Sequence, residues 1–288
     1  MPELPELQAL AEGLAQRVAG RSVEAVALWG PATLKTAVPP LEALVGRRLE
    51  RVWRRGKLLG VAAGELTLLI HLMTAGRLGL APAGASWPRP PRRAATLGLR
   101  LEGGDDLVLR ELSGEHRASA HLLDDAGLAA HRQLAELGPE PLGLDAEGWR
   151  AALAGPGRPP ARLHTAIRQG RRVAGIGRQY CNEILWAARL APYARTDRLD
   201  DEAWARLARG AEAVLGQALA RARERITSDL PDREVRVSAV HGHAGDPCLR
   251  CGTRLERVSF EGFDLVYCPQ CQTGGRIYAD RRRSRFLR

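Results

Sequence analysis

The stretch that decides the fold of the C-terminal end is CLRCGTRLERVSFEGFDLVYCPQC, residues 248–271. It holds two Cys-x-x-Cys pairs, separated by 16 residues. A β-hairpin between the pairs would bring two cysteine turns together and present four thiolates tetrahedrally, as structural Zn²⁺ requires. The predicted cofactor is therefore one structural Zn²⁺, held by Cys248, Cys251, Cys268 and Cys271. Disulfide bonds are the alternative, which a cytoplasmic location argues against.

Arginines surround this predicted zinc ribbon. Arg254, Arg257 and Arg276 lie within or just after it, and a rigid hairpin carrying guanidinium groups is suited to duplex DNA. A ribbon that docks onto another protein is the alternative. The fifth cysteine, Cys181, falls outside the pattern and is predicted to be a buried, unreactive thiol.

The composition is that of a soluble globular protein with two or three domains, since the chain has 288 residues of which 45% are hydrophobic. A formal net charge of +10 indicates a polyanionic partner. Among 43 lysines and arginines only Lys35 and Lys57 are lysine, and a guanidinium cannot replace every function of an ammonium group. No segment reaches the length of a membrane span and the N-terminus is acidic, which predicts a cytoplasmic protein without a signal peptide.

Hydrophobic patterning separates a strand-rich N-terminal part from a helical centre. Apolar residues recur with helical spacing over residues 5–18. Strand-like segments follow at Val23–Trp29, Arg48–Trp53, Leu66–Leu72, Leu97–Leu101 and Leu107–Leu112. One helix followed by many strands predicts a β-sandwich or flattened barrel. Helices are predicted at 145–154, 160–168, 178–190 and 200–225, and an exposed loop at Trp87–Arg93.

The first six residues, Met1-Pro-Glu-Leu-Pro-Glu6, carry a chemical signal. Removal of the initiator methionine would expose Pro2 as a secondary amine, and its α-amino pKa leaves part of it neutral and nucleophilic near pH 7. Attack by such an amine on a sugar C1′ gives an iminium, and Glu3 is close enough in sequence to move the protons. The alternative is that Pro2 is merely a tolerated second residue.

A glycine-rich turn, Gly175-Ile-Gly-Arg-Gln-Tyr180, precedes a helical segment in the centre of the chain. Glycines at a helix entrance let backbone N–H groups approach a phosphate, and the helix dipole favours the anion. Arg171, Arg172 and Arg178 flank this turn. The sequence therefore admits either a phosphate-binding turn or a simple connection between two helices.

Taken together, these motifs resemble the formamidopyrimidine-DNA glycosylase / endonuclease VIII family, of which this chain would be a divergent member. The resemblance covers essentially the whole chain. Its motifs are residues 2–6, Arg54-Arg-Gly-Lys57, Ile70-His-Leu72, Leu137-Gly-Pro-Glu-Pro-Leu142, Gly175-Ile-Gly177 with Tyr180 and Glu183, Val240-His-Gly242 and the four cysteines. The terminal motif and the zinc ribbon are the most specific.

The resemblance implies an α+β multidomain fold. It comprises an N-terminal β-sandwich with an N-terminal helix (1–130), a helix–two-turn–helix domain (131–236) and a zinc finger with a basic tail (237–288), with DNA in the cleft between the two halves. The implied activity is removal of damaged bases from double-stranded DNA, through a Schiff base followed by β,δ-elimination. The implied protein is a monomer at the nucleoid.

Site residues also follow from the resemblance. It implies Pro2 as the nucleophile, Glu3 and Glu6 as acid/base carboxylates and Lys57 as the catalytic lysine, for which a phosphate-binding surface lysine is the alternative. The implied DNA-binding residues are His71, Met73, Thr74, His116, Arg117, Gly177, Arg178, Tyr180, Arg257 and Arg276.

This sequence departs from the family pattern where side chains fill the space left by the flipped base. In the first loop Met73 stands one position earlier than the methionine of the family, and Thr74 occupies the usual methionine position. In the second loop either His116 or Arg117 would serve as the wedge. Phe263 occupies the usual finger-arginine position, so Arg257 or Arg276 would replace it. These departures keep open a second hypothesis, a protein that binds lesions or abasic sites without turnover. A third, a zinc-ribbon protein acting on RNA, is weaker.

Overall fold

The computed structural model describes residues 1–82, 90, 93–115, 117–232, 237–260 and 263–278. The helices are α1 (Leu4–Val18), α2 (Asp125–Ala130), α3 (Arg132–Ala135), α4 (Ala146–Ala154), α5 (Leu163–Arg168), α6 (Arg178–Ala187), α7 (Asp201–Arg225) and α8 (Pro269–Thr273). The strands are β1 (Val23–Leu28), β2 (Arg51–Arg55), β3 (Leu58–Ala63), β4 (Leu66–His71), β5 (Gly76–Pro82), β6 (Ala95–Leu101), β7 (Asp105–Glu111), β8 (Ser119–Asp124), β9 (Glu256–Phe260) and β10 (Phe263–Tyr267).

The chain forms two compact units. Unit 1 comprises Met1–Glu136 with Ala218–Glu234, and unit 2 comprises Leu137–Gln217 with Val235–Arg288. Unit 1 contains two antiparallel four-stranded sheets, ordered β1-β6-β7-β5 and β2-β3-β4-β8. Unit 2 contains α4 to α6, the first part of α7 and the two-stranded sheet β9–β10.

Helix α1 packs its apolar stripe into the core of unit 1. Leu7, Leu10, Leu14 and Val18 are all at most 1% exposed, as the helical spacing predicts. The helix lies against β2. In the same sheet the indole of Trp53 covers Gly60, where an added Cβ would come within 2.1 Å of the ring. Only glycine fits under this indole.

Strand β3 is not predicted from the sequence. Its run Leu58-Leu-Gly-Val-Ala-Ala63, buried at all six positions, contains a glycine and two alanines, residue types that are depleted in strands. The prediction of a strand over Arg48–Trp53 is shifted, since β2 spans Arg51–Arg55 and turns directly into β3. The predicted loop Trp87–Arg93 lies largely outside the described residues.

Two helices of unit 2 are shorter than predicted, for local reasons. The helix predicted over 160–168 begins at Leu163, because the residues before it are engaged elsewhere. The N–H of Ala161 donates to Oγ1 of Thr196, and the backbone of Arg162 forms an isolated antiparallel β-bridge with that of Arg195. The helix predicted over 178–190 ends at Ala187. There Arg189 takes a left-handed φ of 54°, which stops helical propagation.

The predicted fold class is confirmed: N-terminal β-sheets, a helical middle and a C-terminal cysteine cluster on a hairpin. The division at residues 130 and 236 stays a prediction. No helix in the described part of the chain is both long and apolar enough to cross a bilayer.

Candidate active site and metal centre

The N-terminal segment is buried at the start of α1. Pro2 is buried, and Glu3 and Glu6 are 4% and 5% exposed. The backbone N–H of Glu3 donates a 3.0 Å hydrogen bond to Oε2 of Glu6. Glu6 therefore closes the first turn of the helix, where carboxylates also interact well with the helix dipole.

Lys57 lies in a two-residue turn between β2 and β3. Gly56 takes a left-handed φ of 59° there, and the side chain of Lys57 is half-buried. Arg54 connects this turn to α1, since its Nη1 donates to the carbonyl of Gly56 at 2.9 Å and its Nε to Oε1 of Gln8 at 2.8 Å. The lysine turn and the first turns of α1 are thus joined by one guanidinium group.

His71 ends β4, opposite Leu58 and close to Lys57. Burial, and secondarily the charge of Lys57, lowers the pKa of His71 from 6.5 to about 4. The imidazole is therefore neutral at pH 7. Any contact it makes with a ligand is that of a neutral hydrogen-bonding group, not of a cation.

The turn over residues 72–76 follows His71. Its ends are joined by the N–H of Gly76, which donates to the carbonyl of Leu72 at 2.8 Å. Met73 is half-buried with a left-handed φ of 50°, an unusual conformation for a side-chain-bearing residue. Thr74 is exposed. Thr74 thus presents its side chain to solvent, and Met73 is partly withdrawn.

The second predicted contact loop lies beside this turn, because the N–H of Leu112 donates to the carbonyl of Ala75 at 3.1 Å. Arg117 in that loop is exposed and forms an ion pair with Glu115 at 3.1 Å. His116 lies outside the described residues. The structure thus brings Met73, Thr74 and the loop of Arg117 to one end of the β5–β7 ladder.

Glu111, which the sequence did not single out, supports this second loop. It is 4% exposed. Its Oε2 accepts the N–H of Ala118 at 2.8 Å, and its Oε1 accepts the hydroxyl of Ser113 at 2.9 Å. A single carboxylate therefore closes the loop across its base, through contacts with residues 2 and 7 positions further along the chain that no sequence motif marks.

In unit 2 the predicted phosphate-binding turn leads into α6. Gly177 is the N-cap, Arg178 is exposed at the first helical position and Tyr180 is only 5% exposed. The N–H groups of a first helical turn have no partners within the helix, and they point toward any anion bound there. The exposed residue Arg178 adds a positive charge to this end of the helix.

The same helix holds the segment that leads into the cysteine cluster. Glu183, 6% exposed, accepts the backbone N–H groups of Ala239, Val240 and His241 at 2.8, 3.1 and 2.8 Å. Nδ2 of Asn182 lies 3.1 Å from Nδ1 of His241. Two consecutive side chains of α6 thereby fix the entry to the finger.

The four predicted ligand cysteines form one cluster, with all Sγ atoms within 4.8 Å of one another. The Sγ separations are 4.0 Å for Cys248–Cys271, 3.5 Å for Cys251–Cys268 and 3.4 Å for Cys251–Cys271. A tetrahedron with Zn–S bonds of about 2.3 Å has edges of about 3.8 Å, so the cluster fits a zinc ion. As predicted, Cys181 is separate from the cluster and buried.

The two candidate finger arginines have different surroundings. Arg257 on β9 is half-exposed and lies 3.5 Å from the carboxylate of Asp264. Arg276 follows α8 and stands 6.0 Å from the ring centroid of Tyr278. Both residues are exposed, and the carboxylate of Asp264 partly neutralises Arg257.

Residues 1–113 match the formamidopyrimidine-DNA glycosylase N-terminal domain, and residues 245–274 match the zinc finger found in FPG and IleRS. A formamidopyrimidine-DNA glycosylase of Geobacter sulfurreducens is 36% identical over 279 residues, covering 94% of this chain and all of the relative. Another, from Chloroflexus aurantiacus, is 34% identical, covering 94% of this chain and 98% of the relative.

Solved structures show the same fold. Lactococcus lactis Fpg in complex with abasic-site DNA matches with a TM-score of 0.79 at 22% identity, covering 94% of this chain and 99% of that one. The chain belongs to the formamidopyrimidine-DNA glycosylase family. The family resemblance read from the motifs is therefore confirmed.

Proposed function

We propose that this protein is a base-excision-repair DNA glycosylase with lyase activity, in which the amine of Pro2, freed by removal of Met1, attacks the damaged nucleotide. The observation that carries the proposal is the buried start of α1, with Pro2 and Glu3, tied through Arg54 to the turn of Lys57. The family membership supports it, and the Lactococcus lactis relatives were solved with DNA containing an abasic site or Fapy-dG.

The lone pair of the Pro2 nitrogen bonds to C1′ while the bond from C1′ to the base breaks; the nitrogen gives up its proton and the departing base takes one up. Protonation of O4′, with donation from the nitrogen lone pair, then breaks the C1′–O4′ bond, which opens the sugar and leaves a Schiff base. Loss of the C2′ proton expels the 3′ phosphate, and loss of the C4′ proton expels the 5′ phosphate. Water finally hydrolyses the Schiff base, which releases the sugar fragment and restores the Pro2 amine. Glu3 moves the protons and Lys57 is the catalytic lysine. Glu6 assists Glu3 in proton transfer, and its carboxylate accepts the hydrogen bond from the Glu3 backbone N–H.

Recognition of damaged double-stranded DNA is assigned to both units. In unit 1 the contacts come from His71, Met73, Thr74, His116 and Arg117. In unit 2 the helix entrance supplies Gly177, Arg178 and Tyr180, and the finger supplies Arg257 and Arg276. One structural Zn²⁺ on Cys248, Cys251, Cys268 and Cys271 would hold the hairpin rigid. The protein would act as a monomer at the nucleoid in the cytoplasm.

Borohydride trapping on an abasic-site duplex tests the proposal. Protein with a free Pro2 should form a covalent adduct, and Pro2→Gly or retention of Met1 should sharply reduce it. Pro5→Ala is the matched control, because Pro5 lies in the same first turn but carries no free amine. Absence of an adduct with the unblocked protein would reject the lyase.

The second candidate is a protein that binds lesions without turnover. It is favoured by the exposed threonine at position 74 and by the ion pair that engages Arg117. It predicts tight, salt-dependent binding to lesion duplexes without strand cleavage. Multiple turnovers on a damaged oligonucleotide would exclude it.

A further inference from the structure

Arg77 is a buried arginine of unit 1 that the proposed chemistry does not use. It is 8% exposed at the start of β5. Its Nη1 donates to the carbonyls of Gly76 at 2.8 Å and Thr74 at 3.3 Å. Its Nε and Nη2 donate to the carbonyls of Pro231 at 2.8 Å and Asp232 at 3.1 Å. One guanidinium group thus joins the 72–76 turn to a segment 155 residues away in sequence.

That distant segment is itself paired with the edge of the sheet. The N–H of Leu80 donates to the carbonyl of Ser228 at 3.0 Å, and the N–H of Leu230 donates to the carbonyl of Leu78 at 3.1 Å. Between these bonds Gly79 faces Asp229, and an added Cβ at Gly79 would lie 1.9 Å from Oδ1 and 2.7 Å from Cα of Asp229. Residues 228–230 therefore extend the sheet, and Gly79 is required for this close approach.

A second buried arginine completes the connection. Arg110 on β7 is the direct register partner of Arg77 and is 7% exposed. Like charges directly opposite each other in a sheet repel. Here Nη2 of Arg110 lies 2.7 Å from Oδ1 of Asp232 and 4.0 Å from Oδ1 of Asp229. The paired arginines are compatible with the fold because carboxylates of the 228–232 segment offset their charge.

We propose that Arg77 is a positioning residue for base extrusion: it fixes the 72–76 turn, with Met73 and Thr74, against residues 228–232. The turn needs such support because Met73 has a left-handed backbone conformation, which persists only where the surroundings enforce it. This inference rests on the proposed function. Extruding a damaged base requires a rigid turn against the stack, whereas a preformed abasic site offers no base to displace.

Two variants with a matched control separate positioning from general stability. Arg77→Met removes the donors and keeps the apolar stem, and Arg77→Lys keeps the charge but cannot span four carbonyls. Arg21→Met is the control, because Arg21 also joins two segments of unit 1, with Nε donating to Glu102 O at 2.6 Å and Nη1 to Asp105 Oδ2 at 2.8 Å. Asp105 begins β7, whereas the 72–76 turn lies at the opposite end of that strand, beside Glu111.

Single-turnover base removal from a lesion duplex should slow about tenfold or more in both Arg77 variants, since small misplacements cost that much. Trapping on a preformed abasic site should stay close to wild type. The control should change neither rate. Parallel loss of both rates, or a lysine variant that behaves like wild type, would overturn the proposal.

Two readouts do not depend on catalysis. In the free protein, Arg77→Met should accelerate hydrogen exchange of the Gly76 and Leu112 amides, and unchanged protection would contradict the proposal. In DNA, the fluorescence of a 2-aminopurine placed beside the lesion should increase when the wild-type protein binds, and it should increase less when Arg77→Met binds. If wild type unstacks the base but forms no adduct, the lyase proposal fails while this one stands. If the Arg77 variants fold poorly, Gly79→Ala is a second test, because it displaces residues 228–230 and leaves Arg77 intact. It should slow base removal and leave trapping on an abasic site close to wild type. Base removal at the wild-type rate would count against the proposal.

Discussion

The indole Nε1 of Trp186 donates a 3.4 Å hydrogen bond to Sγ of Cys248. The same ring lies under the guanidinium of Arg250, 4.1 Å from the ring centroid, and Nη1 of Arg250 donates to the Trp186 carbonyl at 3.0 Å. The last turn of α6 and the first cysteine turn are therefore joined by three contacts through one tryptophan. Hydrogen bonds to a ligand atom orient it and tune the metal it holds.

Replacing Trp186 with phenylalanine should weaken metal binding without unfolding the unit, because a phenyl ring still offers an aromatic surface to Arg250 while the pyrrole part of the indole and its N–H are lost. We expect metal affinity to fall by roughly tenfold, the lower end of such effects. Competition with a chelator for Zn²⁺ or Co²⁺ measures it. Trp204→Phe, buried in α7 of the same unit, is the control. Equal affinities for both variants would contradict a role for the indole N–H.

Glu183→Gln should destabilise unit 2, because the three N–H groups now bonded by a carboxylate would share one amide oxygen. The expected loss in the free energy of unfolding is about 2–3 kcal/mol. Denaturant unfolding measures it. Glu212→Gln is the control, since Glu212 accepts a single exposed N–H, that of Gly143. A loss no larger than in this control would show that the contacts contribute little.

Arg178→Ala should reduce the salt dependence of DNA binding. Removal of one phosphate contact lowers the slope of log K against log salt by about 1. Fluorescence anisotropy on an abasic-site duplex over a range of salt concentrations gives the slope. Arg209→Ala removes an exposed arginine that pairs with Glu202 on α7 and should leave the slope unchanged. Identical slopes for the two variants would remove Arg178 from the interface.

The buried His164 predicts a loss of stability in acid. Burial, followed by the charge of Arg168, lowers the pKa of His164 from 6.5 to about 3. As the pH falls from about 6.5 toward 3, the unfolded chain binds a proton that the folded chain does not, so folding becomes less favourable, by at most about 1.4 kcal/mol per pH unit. His164→Gln should flatten this slope in unfolding experiments, and the exposed His243→Gln should not. A slope unaffected by His164→Gln would refute the assignment.

The cysteine cluster was the most predictable part of the protein. The spacing of Cys248, Cys251, Cys268 and Cys271 is a local property of the chain, and the hairpin between them follows from it. The start of α6 at Gly177 was equally readable, because glycine and a polar first turn mark a helix entrance. Strand β3 was not, because Gly60, Ala62 and Ala63 are residue types that are depleted in strands.

The sequence by itself determined the family, the order of strand-rich, helical and cysteine-bearing regions and the chemical types available at the candidate site. Each of these depends on neighbouring residues or fixed spacings. Only the tertiary structure decided that His71 is neutral and that Arg77 joins carbonyls of Thr74 and Pro231. These depend on burial and on contacts between residues distant in sequence, here Arg77 and Pro231, 154 positions apart. No local pattern encodes them, because the favourable geometry exists only after the chain has folded.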